Sequence, residues 1–111
     1  MIVSDIMLKG ASELYKNVDD ETRKDIKIEE FLADLAVIFV KYRINNNLSQ
    51  KELADKLGMS QVMISKLESG EYNPSIKKLC EMFMTLGLGV KLSVFKPGEN
   101  NYIGSCDLMQ G

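Results

Sequence analysis

From Ile28 to Asn46 the apolar residues Ile28, Phe31, Leu32, Leu35, Ala36, Phe39 and Tyr42 recur at intervals of three and four. That period predicts one long amphipathic helix. A second apolar strip on it, Val37, Ile38 and Val40, exceeds what a single buried face needs and suits cover by an N-terminal helix or by a partner. Asn47 tolerates the left-handed backbone that ends such a helix. Ser49 followed by Glu52 is a capping box, so a second helix starts there, with Leu53, Ala54 and Leu57 as its stripe. Gly58 permits a sharp stop. Ser60 can cap a third, short helix whose inward residues are Ile64 and Leu67 and whose end is marked by Gly70.

Tyr72-Asn73-Pro74-Ser75 then makes a turn into a further helix. Either Asn73 caps with Pro74 at the first position, or Ser75 caps. Ile76, Leu79, Cys80 and Phe83 form its predicted buried stripe, Met82 and Met84 flank it as rim or interface, and Gly87 ends it. After Gly87 the period changes to two. Leu88, Val90, Leu92 and Val94 alternate with Gly89, Lys91, Ser93 and Phe95, a strand stopped by Lys96-Pro97-Gly98. Unless the tail returns, such a strand has no internal partner, and pairing with its copy in a second subunit would satisfy its backbone. The tail offers only Tyr102-Ile103 and Leu108-Met109 as apolar anchors, which predicts a flexible end. At the other end, Met1 to about Lys16 reads as a helix capped by Ser4, with Ile6, Met7, Ala11, Leu14 and Tyr15 as a loose face; Gly10 costs it about 1 kcal/mol relative to Ala. Asn17 to Lys27 reads as a polar connection or a frayed helix.

The expected architecture is therefore all-α. It has an N-terminal helical extension over 1–27, a helical domain over 28–87, a strand over 88–96 that would pair across a dimer, and a flexible tail over 97–111. Five helices are expected in the domain, beside the N-terminal helical extension. At 111 residues this is one domain with a modest core.

Charge and cysteine usage narrow the chemistry. The net charge is −2, but from Lys41 to Lys78 seven basic residues stand against four acidic ones, a local +3. The acidic part is the N-terminal arm, centred on Asp19-Asp20-Glu21, which reads as a solvated turn; a sharper reading is an arm docking on a basic partner. With no histidine, neither a serine triad nor a Cys–His dyad can form. Cys80 and Cys106 lack zinc-ligand spacing, and no Gly-rich stretch makes a phosphate loop. An enzyme is not expected, nor a metal or cofactor. Two unpaired thiols suit a reducing cytoplasm. Asp5 interrupts the N-terminal apolar residues, so no signal peptide is read there, and the longest apolar run, Leu35 to Val40, is far too short to cross a bilayer. A cytoplasmic protein is expected.

Two short helices joined by so tight a turn make a helix-turn-helix, in which the second helix can enter a DNA major groove. Gln61, Val62, Ser65 and Lys66 lie on the side opposite Ile64 and Leu67 and would point outward. Gln pairs bidentately with adenine, Lys donates to guanine, and Val packs on a thymine methyl. An ordinary solvated face has the same spacing, but an exposed Val62 is better explained by a contact. The ordered set Leu48-Ser49-Gln50, Glu52-Leu53-Ala54, Leu57-Gly58, Ser60, Ile64-Ser65, Leu67-Glu68, Gly70, Asn73-Pro74-Ser75 and Leu86-Gly87 resembles the phage repressor and Cro-like (XRE-type) regulators, over about Phe39 to Leu88. The resemblance implies base contacts at Gln61, Val62 and Lys66, and phosphate contacts at Gln50, Ser60 and Asn73; Lys77 is a weaker phosphate candidate. For Ser60 a plain helix cap serves equally well. The resemblance also implies a partly buried ion pair between Arg43 and Glu68.

One reading helix covers few base pairs, so a dimer on two half-sites of operator DNA is expected. An N-terminal extension and a trailing Leu86-to-Val94 strand make the chain similar to the HigA-like antitoxins of type II toxin–antitoxin pairs, which implies a small basic toxin as partner; Leu88, Val90, Leu92 and Val94 are expected to form the dimer strand. A stand-alone regulator of phage or mobile-element origin is the alternative. A protein-interaction module with a degenerate helix-turn-helix is a third.

Overall fold

The acidic stretch Asp19-Asp20-Glu21 is the beginning of a helix. Asp19 has extended backbone and its carboxylate accepts the Thr22 N–H at 2.7 Å, while Asp20 and Glu21 occupy the first turn, where the helix dipole favours negative charge. This hydrogen bond holds the Asp19 carboxyl below its ordinary pKa. Helix α1 runs unbroken over Asp20–Asn45, so the boundary expected at residue 27 falls inside it, and Asn17 to Lys27 is no connection beyond Asp19. The computed structural model describes residues 19–98 and 101–109; the expected helix from Met1 to Lys16 lies outside them.

Three shorter helices follow: α2 over Gln50–Leu57, α3 over Gln61–Ser69 and α4 over Ile76–Thr85. Ser75, not Asn73, caps α4, its hydroxyl accepting the Lys78 N–H at 3.1 Å. Among the described residues there are thus four helices rather than the five expected, and they are joined by a two-stranded antiparallel sheet, β1 over Val90–Lys96 and β2 over Asn101–Leu108. Two expectations are corrected here. β1 finds its partner within the chain, and residues 101–108 of the tail are that partner.

The register pairs Val90 with Leu108, Leu92 with Cys106 and Val94 with Gly104, with an irregularity between Val94 and Phe95. The tail was opaque to hydrophobic pattern because most of β2 stays exposed; its backbone pairing, rather than alternating burial, makes the strand. Glycine is required at the open end of the hairpin, before Val90. A Cβ on Gly89 would lie 2.8 Å from the carbonyl oxygen of Met109, too close for any side chain.

The core is made by all four helices: Phe39 of α1, Leu53 and Ala54 of α2, Ile64 and Leu67 of α3, and Met82, Phe83 and Leu86 at the end of α4. The rings of Phe39 and Phe83 stack at 4.8 Å, nearly parallel. Met82 is buried although the pattern placed it at the rim, because it lies three residues after Leu79 and four before Leu86, on the inner arc shared with Phe83. Conversely Ile76 is 72% exposed, since the first residue of α4 overhangs the core. On α1 only the C-terminal half is buried. Ile28, Phe31, Val37 and Ile38 stay exposed, and Phe31, Leu35 and Ile38 line an open apolar groove of about 470 Å³ with Leu79, Phe83 and Leu88 to Ser93. No helix among the described residues is long and apolar enough to cross a membrane.

Phe39 has no exposed surface and stacks on one aromatic ring, so truncation removes packing that nothing can replace. Phe39→Ala is expected to lower the unfolding free energy by about 3–5 kcal/mol in urea denaturation.

Candidate nucleic-acid interface

The hinge of the site is the turn from α2 to α3. Gly58 ends α2 at φ +65°, a conformation that side chains with a Cβ rarely adopt, and its N–H closes onto the carbonyls of Ala54 and Asp55. Two residues later Ser60 caps α3, its hydroxyl oxygen accepting the Met63 N–H at 3.1 Å. So tight a connection fixes the angle between the two helices. Leu53 and Ala54 on one and Ile64 and Leu67 on the other then share a single core.

Burying Ile64 and Leu67 turns the opposite face of α3 outward. Gln61, Val62, Ser65 and Lys66 are all exposed, within about 140° of one another around the helix. Val62 is 64% exposed, an apolar side chain in the middle of a polar face. Ser60, Asn73 and Lys77 are exposed as well, at the start of α3, in the loop after it and in the first turn of α4. The Ser60 hydroxyl already accepts a bond as helix cap, yet its own proton can still be donated.

The start of α2 is built more tightly. Ser49 accepts the Glu52 N–H and Glu52 accepts the Ser49 N–H, both at 3.0 Å. The first of these residues past the cap, Gln50, is half-buried, and its amide nitrogen donates to Glu68 Oε1 at 3.2 Å. Glu68 also takes both prongs of Arg43, Nε to Oε2 at 2.7 Å and Nη2 to Oε1 at 3.0 Å, while Arg43 Nη1 donates to the carbonyl of Leu48 at 3.2 Å. Solvent reaches 20% of the Arg43 side chain and 8% of that of Glu68. The hydrogen bond to Glu68 raises the Arg43 pKa above its already high ordinary value, so the guanidinium is charged throughout the accessible range. One carboxylate thus joins the end of α1, the loop before α2, the first residue of α2 and the end of α3.

The structure therefore brings Arg43, Glu68 and Gln50 together, and places Gln61, Val62, Ser65 and Lys66 as a separate outward set. The Gln50–Glu68 bond has no signal in the sequence, because it spans 18 positions and two helices. Leu88, Val90, Leu92 and Val94 lie away from this surface; Leu88 and Val90 pack on the core, and Leu92 and Val94 remain about half exposed. Cys80 and Cys106 are free thiols, and among the described residues no three His, Cys, Asp or Glu side chains converge as metal ligands would.

The helix-turn-helix family model matches residues 40–92, the span that contains α2, the turn, α3 and α4. An uncharacterized HTH-type transcriptional regulator of Methanocaldococcus jannaschii is 43% identical over 54 residues, covering 46% of this chain and 74% of the relative. No solved structure matches.

Two outcomes follow from the polar geometry. Removing the carboxylate with Glu68→Ala strands a largely covered guanidinium, and unfolding in urea should show a loss of about 3 kcal/mol. The Glu52 carboxyl is held below its ordinary pKa by the Ser49 N–H and hydroxyl, so the folded state binds its proton less readily than the unfolded chain. Its contribution is complete above the unfolded pKa of about 4.3 and is lost as pH falls through the lower folded value. Thermal melts from pH 6 to pH 3 should show a shallower acid decline in Glu52→Gln than in the unaltered chain.

Proposed function

The chain belongs to the helix-turn-helix family, and from that premise we propose that it is a sequence-specific DNA-binding transcriptional repressor, not an enzyme, acting at operator DNA. The observation that carries this reading is the outward face of α3. Its four side chains supply an amide, a methyl-bearing surface, a hydroxyl and an ammonium, the groups that read base edges in a major groove. Gln61 pairs with adenine, Lys66 donates to guanine, Val62 packs on a thymine methyl and Ser65 serves either base. Ser60, Asn73, Lys77 and Gln50 at the start of α2 are the residues this reading assigns to phosphates of the same groove. The local excess of basic over acidic residues between Lys41 and Lys78 favours that approach despite the net charge of −2.

The protein acts as a dimer, since a single α3 reads too few base pairs to select one promoter, and two copies reach half-sites one helical turn apart. Among the described residues the outer edge of β1 carries no strand, and two copies join their sheets there through the segment from Leu88 to Val94. Repression follows from occupying the promoter. Among the described residues nothing favours a basic toxin as partner. The acidic stretch that suggested one caps and charges the start of α1, so the antitoxin reading rests on resemblance alone.

A gel shift on the DNA upstream of its own coding region, repeated over a range of salt, tests the reading. Binding should weaken steeply and linearly on logarithmic axes, and binding that ignores salt would leave the interaction-module alternative. Gln61→Ala should cost about 1–3 kcal/mol of operator affinity and relax preference at one base pair. A binding-site selection that returns the same sequence for both proteins would remove Gln61 from the base-reading set.

A further inference from the structure

Glu68 accepts three hydrogen bonds, two from Arg43 and one from Gln50. The two donors have different consequences. Arg43 neutralises the carboxylate and so removes the repulsion it would otherwise exert on a nearby phosphate. Gln50 is held by its nitrogen, and this decides which way its amide points. A primary amide carries two N–H donors on one atom and an acceptor on the other, whereas an ionised carboxylate only accepts. Reversing the Gln50 amide would set its oxygen against Glu68 Oε1, exchanging a 3.2 Å hydrogen bond for a repulsive contact.

From this geometry we infer that Glu68 is a positioning residue for DNA binding: it locks the Gln50 amide with its nitrogen inward, so that the second proton of that nitrogen is the group offered to a DNA phosphate. The inference rests on the DNA-binding reading above. Gln50 stands at the first position of α2, where the backbone N–H groups of the opening turn have no partner within the helix. The locked side chain adds the second N–H of its amide nitrogen to that set of donors. Because Glu68 lies near the end of α3, the same carboxylate also sets the phosphate-gripping start of α2 against the base-reading face of α3. Arg43 completes the lock from behind by holding the carbonyl of Leu48, two residues before Gln50.

A double-mutant cycle in operator binding by the full chain tests this. Gln50→Ala alone should weaken binding about tenfold, uniformly across operator variants, as loss of a hydrogen bond to a charged group does. In a Glu68→Gln background, where the facing amide accepts either orientation, the same Gln50→Ala change should weaken binding less than threefold. Glu68→Asp keeps the charge for Arg43 but withdraws the oxygen from Gln50, and it supplies the same comparison should Glu68→Gln fail to fold. Circular dichroism at the assay temperature establishes that each variant compared is folded, which separates positioning from a merely structural role. Equal tenfold losses in both backgrounds would overturn the positioning role while leaving the DNA-binding reading intact. Absence of any operator binding by the unaltered chain would overturn both.

Discussion

Helices of 8 and 9 residues cannot bury enough surface to hold themselves together, and this constraint governs the whole molecule. α2 and α3 each contribute two fully or nearly fully buried side chains, and the remainder of the core comes from α1 and α4. The stacked rings of Phe39 and Phe83 are the contact through which those two outer helices meet. The turn at Gly58 can then be short and rigid, because the angle it imposes is supported from both sides. An outward face with a fixed direction is a consequence of that support rather than a property of α3.

Polar bonding performs a second task that apolar burial cannot. A hydrophobic core constrains distances between helices but tolerates small rotations and slides. The forked pairing of Arg43 with Glu68 is directional and spans 25 positions, so it specifies where the end of α1 sits against the end of α3. Adding Gln50 and the Leu48 carbonyl to the same cluster extends that specification to the beginning of α2. The cluster includes Gln50, which the DNA-binding reading assigns to a phosphate, and Glu68 of the same helix as the residues that reading assigns to bases.

The two ends of the described fold show how one composition serves different purposes. Acidic residues at 19–21 are a capping arrangement whose local benefit explains them, without any partner. The polar segment 101–108 is a strand because β1 offers it an edge, and because Gly89 leaves room for its last residues to approach. In both places a local backbone requirement decided the structure, where composition alone had pointed to a solvated turn and a loose tail.

Helix periods, the capping box at Ser49 and Glu52, the left-handed stops at Asn47, Gly58 and Gly70, and the change to period two after Gly87 were all written in the chain, since each depends on residues within a few positions of one another. The same locality makes the direction of Gln61, Val62, Ser65 and Lys66 readable, because placing Ile64 and Leu67 inward leaves a 3.6-residue helix no other choice. Only the tertiary structure decided that Met82 goes in while Ile28 and Phe31 stay out, that β1 pairs with residues 101–108, and that the Gln50 amide turns its nitrogen toward Glu68. These outcomes depend on which surfaces from distant parts of the chain arrive at the same place, and periodicity carries no record of that.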